Sequence, residues 1–195
     1  MAITSLSTSS LVSGVKRRRV WDQTATTDGF FQIATTTLNT TASSITFSSI
    51  PQDYTHLQIR YLARGTVSAT GVGLRTRLNN DSGSNYSTHQ LYGDGSSVAT
   101  NGNGNQTELA VGGMSAASAG SGIFGVGIID ILDYNNTNKY KTFRAIDGRD
   151  INGGGLVLIE SGNWRSNNSI SSILFYLSSD NFAQYTSFAL YGIKG

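Results

Sequence analysis

The chain reads as all-β, an antiparallel β-sandwich of jelly-roll type with an extended N-terminal arm. Three observations predict this. Apolar residues recur at a spacing of two along many short segments, and Gly/Asn/Ser turns separate those segments. No window of helical length keeps the i, i+3, i+4, i+7 pattern without a glycine interrupting it. Many short strands with no helices between them call for two sheets packed face to face.

Residues 1–28 stand apart as the arm. They are rich in Ser and Thr, lack any useful period-2 run, and carry the cluster Lys16, Arg17, Arg18, Arg19, followed by Trp21. Against Asp22 and Asp28 those four basic residues leave the arm at +2, the formal charge of the whole chain. The body, 29–195, balances ten basic against ten acidic residues.

About ten strands are expected in the body, among segments near 29–36, 43–50, 55–64, 71–79, 85–92, 106–112, 122–134, 139–147, 155–162, 170–178 and 184–193. Ile45/Phe47, Leu57/Ile59/Tyr61 and Leu74/Thr76/Leu78 each mark a core-facing side, and Ile173 to Leu177 is apolar on both. Thr, Ile, Val, Tyr and Phe supply the strand propensity. Turns are expected at Asn79–Gly83, Gly93–Gly95, Asn101–Gly104 and Asn152–Gly155, whose residues tolerate positive φ. The low-complexity stretch Gly112–Gly122 reads as an exposed loop, and Ser161–Asn168 as a turn carrying Trp164.

Composition narrows the function. Charged residues make up 13% of the chain, about half the usual ~25%. Gly, Ser, Thr and Asn fill the gap, so the surface is one of hydroxyls and amides. That suits a protein meeting other proteins over much of its area, or an extracellular-type β-protein with neutral turns. With no cysteine, disulfides, thiolate metal sites and a Cys nucleophile are excluded. No apolar run reaches the ~18 residues of a membrane span. The basic cluster follows the mildly apolar opening instead of preceding it, so no secretory signal is expected.

Candidate chemistry is sparse. His56 and His89 have no Gly-x-Ser-x-Gly elbow to serve and are expected in hydrogen-bonded sheet positions. Asp130/Asp133, Asp147/Asp150 and Glu160 are the carboxylates that could flank a glycosidic bond. Asp130 interrupts the apolar run Val126 to Leu132 and needs a partner, for which Arg144 on the next segment is placed. Asp147–Gly153 and Asp133–Asn138 offer alternating oxygen ligands without the full calcium-loop pattern, so no metal or cofactor is expected. The glycine runs do not join a strand to a helix and read as turns, not phosphate cradles. Lys16 to Arg19 on a neutral body suits docking on a protein better than binding nucleic acid. Trp164 and Tyr92 are the residues a glycan-binding site would use.

Three stretches resemble a family of tailed-bacteriophage virion proteins. They are Thr46 to Arg60, Ile129–Tyr134 with Asn138–Thr142, and Phe188–Ile193, and the opening Ser9–Lys16 with Val20–Gln23 is similar too. The resemblance covers about Phe30 to the C-terminus and implies a non-enzymatic particle component without catalytic residues. A head decoration (cement) protein is the expectation. It would assemble with the virion in the host cytoplasm, as a symmetric homo-oligomer with a trimer favoured. The arm residues Lys16, Arg17, Arg18, Arg19 and Trp21 would dock on the major capsid protein or another virion protein. The rival expectations are a tail or head fibre that binds host glycans near Trp164 and Tyr92, and a polysaccharide-degrading enzyme.

Overall fold

The structure, a computed structural model, describes residues 29–194. The arm, with Lys16, Arg17, Arg18, Arg19 and Trp21, lies outside the described residues.

Within them the chain forms twelve strands and no α-helix. They are β1 (Phe30–Thr37), β2 (Ser44–Phe47), β3 (His56–Ala63), β4 (Gly71–Leu78), β5 (Tyr86–Gly93) and β6 (Val98–Gln106). There follow β7 (Leu109–Ser115), β8 (Gly125–Leu132), β9 (Lys141–Asp150), β10 (Gly155–Trp164), β11 (Ile173–Leu177) and β12 (Ser187–Ile193). An eight-stranded sheet runs β1-β12-β3-β8-β9-β10-β5-β6, and a four-stranded sheet runs β2-β11-β4-β7. Every ladder between strands is antiparallel.

The wiring is that of a jelly roll with two insertions. β1-β12-β3-β8 and β2-β11-β4-β7 are the two rolled four-stranded sheets. The hairpin β5–β6 is inserted between β4 and β7, and β9–β10 between β8 and β11. Both insertions join the large sheet beyond β8 and extend it past the sandwich. The extension wraps the free edge of the small sheet. β7 touches β8, β9, β10 and β5, and all seven of its residues are buried.

The core lies where alternation places it. Leu57 and Ile59 of β3, Ile129 and Ile131 of β8, and Phe188 and Leu190 of β12 face Leu74 and Leu78 of β4 and Ile173 and Phe175 of β11. Phe188 is the hub, its ring centroid 5.0 Å from Phe175, 5.3 Å from Tyr61 and 5.6 Å from Phe182. Burying each such side chain contributes roughly 1.5–3 kcal/mol.

Three local expectations are corrected. Asn101–Gly104 is not a turn but the middle of β6, paired with β5. Almost every β6 residue is exposed, so the strand has no apolar face to reveal it. Gly112–Gly122 is not one exposed loop. β7 runs through Ser115, Met114 and Ala116 are buried, and a 3-10 turn at Ala117–Ala119 opens the exposed remainder. The glycines are there because the strand is hemmed in. A Cβ on Gly112 (φ +151°) would stand 2.2 Å from the Tyr61 hydroxyl. Finally, β10 continues to Trp164, which ends a strand instead of capping a turn.

Candidate functional site

The extension of the large sheet buries Phe143, Ala145, Leu158 and Trp164 on its inner face, but it also places carboxyls there and leaves large hydrophobics outside. In the jelly-roll half, β3 turns Leu57 and Ile59 inward and Gln58 and Arg60 outward. In the extension, β9 and β10 turn Asp147 and Glu160 inward and Ile146, Val157 and Ile159 outward. Side chains opposite one another in a ladder share a face, so the registers define rows across that outer surface. One row is Arg60–Ile128–Ile146–Ile159–Leu91–Thr100. The next is Leu62–Val126–Gly148–Val157–Gly93–Val98. Eight of these residues are exposed large hydrophobics, among them Ile146 at 59%, Val157 at 61% and Val98 at 75%. They form one apolar surface across six strands, bordered by the polar row Gln58–Asp130–Arg144–Ser161–His89.

Behind this surface sits a buried polar cluster. Asp147 is 4% and Glu160 1% exposed. The Gly113 N–H donates to Asp147 Oδ2 at 2.7 Å, and the Gln90 amide donates to Glu160 Oε1. Asp147 Oδ1, Glu160 Oε2 and the Tyr61 hydroxyl have no hydrogen-bond partner among the described residues. Burial pushes the Asp147 carboxyl up to about 7 and Glu160 adds to the rise, against the pull of the Gly113 N–H and Arg149. Burial likewise pushes Glu160 up to about 7, opposed by the Gln90 hydrogen bond and the charge of Arg75. Burial, then the charges of Asp147 and Glu160, hold the Tyr61 phenol well above its ordinary range. Such carboxyls could exchange protons near neutrality, but a general acid or base must reach a substrate. Neither offers more than a few percent of its surface to a reactant.

The residues singled out in the sequence are scattered. Trp164 is 2% exposed, stacks on Tyr86 and donates its indole N–H to Asp81 Oδ2 at 2.7 Å. The exposed indole expected for a glycan site is therefore replaced by a core anchor. Tyr92 is half-buried at the opposite end of β5, six residues from Tyr86, so roughly 20 Å of strand separates it from Trp164. His56 Nδ1 accepts the Asp133 backbone N–H at 3.0 Å, and His89 lies exposed opposite Gly102. Asp130 pairs with Arg144 at 3.1 Å as its place in the apolar run required, and the Gln58 amide donates to it at 2.8 Å. Asp133 pairs with Lys139, and Asp150 accepts the Asn152 N–H at 2.8 Å in a tight turn. Among the described residues no three His, Cys, Asp or Glu side chains gather to hold a metal ion.

Sequence reasoning paired Asp147 with Asp150, whereas the ladder sets Asp147 opposite Leu158, two positions from Glu160 on the same inner face. The signal in Val157–Ser161 was partial, since Glu160 shares the inward phase with Leu158 while Val157 and Ile159 take the outward one. Compared with protein-family models, curated proteins and solved structures, the chain matches none of them.

Proposed function

We propose that the protein is a non-enzymatic assembly component that works by burying surface against other proteins, and specifically a phage capsid decoration (cement) protein. The observation that carries the assembly reading is the apolar outer face of the eight-stranded sheet. A monomer's largest apolar patch is usually ~300–600 Å². At their fractional exposures the eight side chains present roughly 700 Å², beyond that range. The jelly-roll wiring and the low charge support the same reading, since both suit a body that packs among neighbours. The motif resemblance supplies the finer part. The body would sit on the head as a symmetric homo-oligomer, its partner the major capsid protein or another virion protein, assembled in the bacterial cytoplasm. Added contact between capsomers would oppose the pressure of packaged DNA.

The glycan-binding rival has lost its leading residue, because the Trp164 indole is enclosed and bonded to Asp81. Quantitative mass spectrometry of purified particles tests the proposal. A decoration role predicts hundreds of copies per particle. A few copies would indicate a fibre or tail position, and absence from particles would overturn the virion assignment.

A further inference from the structure

We propose that the outer face of the large sheet is closed by a second copy of this chain, packed face to face about a two-fold axis parallel to the strands. The inference rests on the assembly reading and names the molecule that covers the face. In the row Leu62–Val126–Gly148–Val157–Gly93–Val98, glycines occupy alternate strands from β9. Adjacent strands are ~4.8 Å apart, so side chain and gap repeat about every 10 Å. The gaps are real recesses. An open hollow of about 570 Å³ is lined by Gly93, Gly148, Val126 and Val157, with Asp94, Arg149 and Asp150 at its far margin.

An axis running between β9 and β10 exchanges β9 with β10, β8 with β5, and β3 with β6. Val157 of each copy then sits over Gly148 of the other, and Val126 over Gly93. In the neighbouring row the same operation sets Ile146 against Ile159 and Ile128 against Leu91. A self-complementary patch is what an isologous interface requires, and two sheets stack comfortably at ~10 Å.

Electrostatics permits the pairing. The eight positions are uncharged, and of the charges that share their hollow Arg149 can offset Asp94 and Asp150 at the margin. At the border Asp130 is already paired with Arg144, and the Arg60 guanidinium lies over the Phe30 and Tyr191 rings at 5.1 and 5.5 Å. The body's ten basic and ten acidic residues leave no net repulsion between copies. Apolar area of roughly 700 Å² with its polar rim approaches the ~800 Å² per partner of a standard stable interface.

Sedimentation of the full chain from about 1 to 100 µM tests this over the range where a micromolar contact is visible. The expected result is a monomer–dimer equilibrium. Val157→Lys should abolish the dimer. Gly93→Val is the sharper variant, because its new Cβ has only the Ser97 carbonyl within reach, at 3.7 Å, so the fold accepts it. It fills the recess and should weaken dimerisation by roughly tenfold or more, whereas a merely sticky surface would associate more tightly. A monomer at every concentration, a trimer, or unimpaired association of Gly93→Val would overturn the proposal. The two readings fail separately. A dimer absent from particles would sink the virion role alone, and monomers counted in hundreds on particles would sink the two-fold contact alone.

Discussion

The two ends of the large sheet are built from the same kind of strand but divide polar and apolar residues between their faces differently. At the β1-β12-β3 end the inward side chains are Leu57, Ile59, Phe188 and Leu190, while Gln58 and Arg60 face out. At the β9-β10-β5 end two carboxyls and an amide share the inner side with Phe143, Leu158 and Trp164, while Ile146, Ile159 and Leu91 point out. The first end is explained by the folding of one chain, since it buries its apolar side against the second sheet. The second is not. Its outward hydrophobics contribute little to the stability of a single chain, and its inward carboxyls cost free energy. Such an arrangement makes physical sense when the outer surface is the one that will be covered.

The largest effect expected from this contrast is in the core of the first end. Phe188→Ala should cost about 3–5 kcal/mol, as large aromatic truncations do, and Ile146→Ala on the outer face less than about 0.5 kcal/mol. Chemical denaturation of the monomer at low concentration measures both, and equal losses would erase the distinction between the ends.

Next comes pH. A carboxyl whose folded-state value is raised binds its proton more tightly in the folded chain, so folding is favoured at low pH. That contribution is fully present below the ordinary carboxylate range near 4 and is lost as pH rises toward about 7. Between pH 5 and about 7 each group accounts for up to about 3 kcal/mol at ~1.4 kcal/mol per pH unit. The melting temperature should therefore be higher at pH 5 than at pH 8. The double variant Asp147→Asn, Glu160→Gln should flatten the profile. A profile rising with pH in the native chain, or one unchanged by the substitutions, would place the pH response elsewhere.

Smaller still is the effect at the seam between the ends. Gly112→Ala forces a Cβ onto the Tyr61 hydroxyl at a backbone angle L-residues avoid, and about 1–3 kcal/mol of strain is expected from thermal melting. A neutral result would mean that β7 is not clamped as tightly as its burial implies.

Much of the sandwich was legible because a half-buried strand writes its burial into alternate residues, as Leu57/Ile59/Tyr61 and Leu74/Thr76/Leu78 do. The Asp130–Arg144 pair was legible for a related reason, since a charge inside an apolar run demands a partner and the next strand supplies it. β6 was illegible because Asn101–Gly104 form a ladder on backbone hydrogen bonds alone, without burying side chains. The second half of β7, from Gly112 to Ser115, looked like a loop because its small residues are set by the crowding of Tyr61 and its neighbours, which belongs to tertiary structure. The apolar face was hidden for a third reason. Leu156 to Ile159 is apolar in both phases of the strand, and only the second sheet's position reveals which phase is left uncovered.

The nesting of the strands also fixes how the chain must fold. The first described strand pairs with the last, Phe30 opposite Ile193, and β5 waits for β10 across more than sixty residues. Only a few neighbouring strands, such as β5–β6 and β9–β10, can zip locally. Contacts this distant in sequence slow the search for the native state toward the millisecond-to-second range. During that search the valine and isoleucine rows lie open beside unpaired strand edges. Prompt capture of one finished molecule by another would shorten the time this surface is left to aggregate.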